Sequence, residues 1–278
     1  MWGSSDGRSA DAGYGSRVRS SSRPVVLLAL VAALTGACGG GPDSAATPTP
    51  DVDESAEQLQ RLRTAVERVA ESQATADAAL FGVLDLVRAI DGAVPGMLDA
   101  ETIDDTITAW KSSGALMHVP QEAPDLRAGY LAVAGEVDDA RTALVAARRQ
   151  LQDPWERRYL DAEDRVLTAV REYAEAGDRL AQILQRHWDT YVWFHTAMES
   201  FVERRWQFRS KKEAADAFFV ETDTRLDLLA TAQRQISGVR TEREQAATTV
   251  NTASGQAQDV WAARPSERAT ASEDTSAP

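Results

Sequence analysis

The side chains from which catalytic or metal centres are usually built are scarce in this sequence: one cysteine, Cys38, and three histidines, His118, His187 and His195. On a helix, His195 and Glu199 stand one turn apart, Glu203 lies a turn further on and His187 two turns back, a spacing that offers at most a weak metal site. That spacing is short of a built metal site. Carboxylate-bridged diiron bundles place a Glu-x-x-His pair on each of two helices, and no such pair occurs here. His118 falls in a Pro-flanked stretch without an evident partner. Nucleophile-elbow, P-loop, zincin and dinucleotide signatures are absent. Acidic pairs such as Asp104-Asp105 and Asp138-Asp139 read as solvated helix faces. The sequence predicts no catalytic residue, no metal, no cofactor and no enzyme activity.

Cys38 has a different chemistry to offer. As the sole cysteine it can form no intramolecular disulfide. Upstream, Arg17, Arg19 and Arg23 precede Pro24 and an unbroken apolar run, Val25 to Leu34, which ends in Thr35-Gly36-Ala37-Cys38. A basic segment, a short apolar segment and small residues make a secretory signal. The run is too short to span a bilayer, which takes about 20 residues. Leu34-Thr35-Gly36-Ala37-Cys38 resembles the lipobox of bacterial lipoprotein signal peptides, with Thr35 where Leu is usual. The resemblance covers residues 17–38. It implies cleavage between Ala37 and Cys38, diacylglycerol on the Cys38 sulfur, further acylation of the new amino terminus (palmitate is typical of such anchors), and an extracytoplasmic, lipid-anchored chain on the bacterial cell membrane. Two or more acyl chains anchor stably where one is marginal. Residues 1–16 add Ser, Gly and Asp that such a leader does not need, so initiation is expected downstream, near Val18.

The formal charge is −13, and it becomes −15 once the four arginines and two aspartates of residues 1–37 are removed. An acidic surface of this kind repels phosphate backbones, which argues against nucleic acid as a partner.

Only helices fit the hydrophobic spacing that follows. Residues 38–54, with Pro42, Pro48 and Pro50 among small polar residues, read as a lipid anchor and flexible tether. Residues 263–278 read as a disordered tail. Between them, 55–262 is expected to be all-α: an elongated, coiled-coil-like antiparallel bundle of four main helices plus one short one. Helix one opens on a capping-box pattern, Ser55 to Gln58. It carries Leu59, Leu62, Val66, Val69, Gln73, Ala76, Leu80, Val83, Val87, Ile90 and Val94 at steps of three and four, until Pro95-Gly96 stops it. Residues 98–113 form the short amphipathic helix. The third carries Leu126, Tyr130, Val133, Val137, Ala140, Leu144, Ala147 and Leu151. Asp153-Pro154-Trp155-Glu156 restarts the chain with an N-cap, a proline suited to the first helical position and a reciprocal glutamate. From there one register runs through Phe201 and resumes at Phe218, faltering at Arg204 and Lys211. A turn is expected at about 209–212; one continuous helix from 154 to 262 is the alternative. Ala162, Ala169 and Ala176, seven apart, would let a neighbouring helix approach closely.

Half of the chain's Phe, Trp and Tyr residues fall in 187–219. Trp188, Tyr191 and His195 share one face there, and Arg204, Arg205, Arg209, Lys211 and Lys212 make this also the most basic stretch. Aromatic and Arg side chains dominate interface hot spots, so Trp188, Tyr191, Trp193, Arg205, Trp206 and Arg209 are the candidate interaction residues. An aromatic-packed bundle end with snorkelling arginines fits the same pattern. Seam polars Gln73, Arg225 and Arg243 would fix helix register. These features point to a tethered interaction or scaffold module of the cell envelope that binds a protein partner or itself. A ligand-binding or sensory bundle with an aromatic pocket in 187–219 is the other reading.

Overall fold

The computed structural model describes residues 50–112, 119–218 and 222–265, and Cys38 with its flanking signal lies outside them. Among the described residues there is no strand. Six α-helices follow one another: α1 (Pro50–Asp99), α2 (Ile103–Ser112), α3 (Leu126–Gln150), α4 (Pro154–Arg204), α5 (Lys211–Phe218) and α6 (Thr222–Ala262), with a 3-10 turn at Arg205–Gln207. The fold is all-α, with long helices packed on one another.

α1 exceeds its expected bounds at both ends. It starts at Pro50, a residue suited to a first helical position, so Ser55 is interior and caps nothing. The extra turn is held against the end of α3, where Gln150 Nε2 donates to Glu54 Oε1 at 2.9 Å. At the other end the helix passes through Pro95 to Asp99. Proline removes one backbone hydrogen bond there. Packing carries the helix past it: Met97 is buried, and the backbone at Gly96 lies so close to α2 that a Cβ would stand 3.3 Å from Ala109 Cβ.

The register of the third and fourth helices is as the spacing predicts. Every seam residue from Leu126 to Leu151 is buried, and Asp125 accepts from the Ala128 N–H at the start of α3. Asp153 caps α4 in a full box with Glu156, with Pro154 in its first turn. α4 ends at Arg204, slightly before the turn expected at 209–212. Arg205, Gln207 and Arg209 then alternate with Trp206 and Phe208 in no helical register, and the chain passes through the 3-10 turn and Phe208 to a short helix, α5, that the pattern did not separate. One continuous helix from 154 to 262 is therefore not formed.

Cross-helix bonds fix direction. Arg127–Asp178, Arg141–Thr168 and Arg148–Asp161 run in opposite sequence order along α3 and α4. Trp155–Val260, Arg179–Glu242 and His187–Gln235 do so along α4 and α6. Both pairs are antiparallel, as is α1 with α3. Residue 50 and the α4–α5 turn consequently lie at opposite ends. α4 buries the widest face, because α3, α6 and α1 all pack on it. Its small residues Ala162, Ala169 and Ala176 are all buried. The backbones of α1 and α6 meet only sparsely, and long arginine side chains bridge them.

Candidate interaction site

Each long helix contributes one polar residue to a layer at mid-height. Asp77 of α1 accepts at Oδ1 from Tyr130 Oη of α3 (3.0 Å) and at Oδ2 from Tyr173 Oη of α4 (2.7 Å). Arg243 of α6 donates through Nη2 to Asp77 Oδ1 at 2.7 Å and to Tyr173 Oη. The guanidinium also lies over the rings of Phe81 (5.0 Å) and Tyr173 (4.7 Å). Gly177 lets Tyr130 reach this layer, since a Cβ there would overlap the tyrosine ring. Burial, with the Asp77 charge, drives both tyrosine hydroxyls far above their ordinary pKa, so they serve as donors and not as bases. Of the seam polars expected to set register, Arg243 and Gln73 are buried, and Arg225 stacks on Trp193. Asp77, the centre of the layer, carried no periodic signal. It sits one position off the seam residue Ala76, and its partners are 53, 96 and 166 residues away.

A second carboxyl–tyrosine pair lies toward each end. Near residue 50, Glu163 of α4 faces Tyr159 and Arg63; burial raises its pKa against the opposing pull of both. Trp155, Tyr159 and Trp261 pack there as a ring cluster, with the Arg63 guanidinium 4.5 Å from the Trp261 ring. Toward the other end, Asp91 of α1 faces Tyr191 of α4. Burial raises Asp91 to about 6, although the Tyr191 hydroxyl opposes the shift.

The six candidate interaction residues separate into two environments. Trp188 and Tyr191 belong to the core, and Trp188 Nε1 donates to the Pro120 carbonyl at 3.1 Å. Trp193 is half-buried, with Arg225 stacked 4.3 Å from its ring. These three cannot meet a partner without rearrangement. Arg205, Trp206 and Arg209 occupy the break between α4 and α5 and are exposed. Trp206 is 78% exposed, the most exposed large apolar side chain among the described residues. Adjacent rings are spent on packing: Phe201 stacks on Phe208, and Trp110 of α2 contacts Phe194 and His195.

Among the described residues no three His, Cys, Asp or Glu side chains converge on a common point that could hold a metal. His195 Nδ1 is 3.5 Å from Glu199, while His187 Nε2 meets Gln235 Oε1 at 3.1 Å, so the two histidines face different neighbours. His118 lies outside the described residues. An open groove between α4 and α6, lined by Asp164, Thr168, Glu172, Thr248 and Thr252, lies on the half of the bundle away from the aromatics of 187–219. No helix among the described residues is long and apolar enough to cross a membrane. Comparison with protein-family models, with curated proteins and with solved structures found no match.

Proposed function

We propose that the chain is a lipid-tethered interaction module of the bacterial cell envelope. In this reading Cys38 carries the acyl chains on the extracytoplasmic face of the membrane. Residues 39–49 form the tether, and the helices make an elongated up-down-up-down four-helix bundle with coiled-coil-like seams. The bundle is the spacer and its far turn is the contact surface, for a protein partner or for a second copy. The observation that carries the reading is the exposed Arg205-Trp206 pair with Arg209, at the end remote from residue 50. Along α1 that separation is about 75 Å at 1.5 Å per residue. A solvated indole flanked by cations is hot-spot chemistry, and its exposure places it outside the core. The buried layers support the spacer role, because each ties two or more helices at fixed register. The alternative, a ligand pocket among the aromatics of 187–219, has less support, because Trp188, Tyr191, Phe194 and Phe201 fill the core.

The tether is tested by fractionating cells that express the wild type or Cys38→Ala and labelling both with a clickable palmitate analogue. The wild type should take label and sediment with membranes, and the variant should do neither. An unlabelled wild type, or a Cys38→Ala chain that still carries label, would contradict the reading.

A further inference from the structure

The far end carries two charge clusters of opposite sign. Exposed Arg205, Arg209 and Lys212 flank Trp206 in the sequence, and none of the three makes an ion pair among the described residues. Glu213 is beside them, where it accepts the Arg209 backbone N–H. At the same end, the close of α1 and the start of α2 present Asp99, Glu101, Asp104 and Asp105, all exposed and again without an ion pair among the described residues. Among the described residues, the partner of the Asp105 side chain is Thr102. The two clusters adjoin, since Lys211 Nζ reaches the Leu98 carbonyl at 3.5 Å, and Leu98 is itself 56% exposed.

A surface bearing an apolar centre, a basic side and an acidic side complements a copy of itself rotated by a two-fold axis. Each basic turn then meets the partner's acidic corner, and the contact closes at two copies. An anionic bilayer is a poorer fit, because the acidic corner would be repelled wherever the basic turn is attracted. We propose that this end is a self-association surface, through which two copies of the chain meet end to end, with Trp206 and Leu98 of each at the centre and the charges crossed around them. The proposal rests on the tethered-module reading and names its partner. The end is small beside the 1,200–2,000 Å² of a stable interface, so the dimer is weak in solution and relies on membrane confinement to raise the effective concentration.

The test is sedimentation equilibrium of the full chain carrying Cys38→Ser, in mild detergent at low salt, up to about 1 mM. The expected result is a dimer that weakens about tenfold or more in high salt. It is lost in the triple variant Arg205→Glu, Arg209→Glu, Lys212→Glu, and lost in Asp99→Lys, Glu101→Lys, Asp104→Lys. An equimolar mixture of the two triple variants restores it, because one then presents only acidic and the other only basic clusters. Circular dichroism on each variant confirms the helix content. A chain that stays monomeric throughout, a dimer indifferent to both reversals, or a mixture that fails to associate would overturn the proposal. If the monomeric chain were nevertheless crosslinked in cells to a different protein through Trp206, the interaction-module reading would stand and only self-association would fall.

Discussion

Arg243 on α6 reaches Asp77 on α1 across the one pair of neighbouring long helices whose backbones barely meet, with 8% and 17% of the two side chains exposed. The seam is closed by a charge-assisted bond held in place by two tyrosine hydroxyls. Removing one partner of such a pair leaves a buried charge without compensation, which costs about 3–5 kcal/mol. Arg243→Met and Asp77→Ala should each lower stability by about that much in urea denaturation. The double variant should cost clearly less than the sum. Additive losses would show that the two do not act as a unit.

Gly177 is the neighbour of the same layer that tolerates least. A methyl group there overlaps the Tyr130 ring, and α4 would have to move away from α3. Gly177→Ala should destabilise by about 1–3 kcal/mol through overpacking, despite the better helix propensity of alanine. At Gly238, where a Cβ meets nothing within 4 Å, the same substitution should stabilise by up to about 1 kcal/mol. Thermal melts of the two variants read the contrast.

Asp91 gives the stability a pH dependence opposite to that of a salt-bridged aspartate. Its folded pKa is about 6, against 3.8 in the unfolded chain. Below pH 4 both states are protonated and the group costs nothing. Between pH 4 and 6 the folded state holds a proton that the unfolded state has released, so this contribution falls as pH rises; above pH 6 the full cost is present. Solvent screening leaves about 1–2 kcal/mol of it. Asp91→Asn should therefore gain about that much over the wild type at pH 7.5 and nothing at pH 4. Equal gains at both values would remove Asp91 as the cause.

The seams of α3 and α4 were legible because local spacing alone specifies them: Leu126 to Leu151 and the Asp153–Glu156 box need no knowledge of the rest of the chain. The ends of α1 were not, because Glu54 is held by Gln150, 96 residues away, and Gly96 by close packing against Ala109 of the next helix, and neither contact shows in the spacing of α1 itself. The same limit hid the Asp77 layer. A lone aspartate beside a seam alanine has the pattern of a solvated residue, and only the meeting of four helices makes it central. Composition identified the aromatic band but could not divide it. On one continuous helix Trp188 and Trp206, 18 residues apart, would share a face; what separates them is that the helix ends at Arg204, before the second.

That division yields a prediction of its own. Trp188→Ala should cost about 3–5 kcal/mol, with loss of the bond to the Pro120 carbonyl. Trp206→Ala should leave the melting temperature within about 0.5 kcal/mol equivalent of the wild type. A destabilised Trp206→Ala chain would place that ring in the fold and withdraw it as a contact surface.

The most direct measurement of the central claim is photo-crosslinking in living cells, with a photoreactive residue at position 206 and Cys38 intact, compared with the same probe in Cys38→Ala and with a probe at the buried position 188. A discrete crosslinked species, either a second copy or another protein, is expected, and it should require both the probe at 206 and the cysteine at 38. No crosslink from position 206, or the same products from position 188 or from the Cys38→Ala chain, would contradict it.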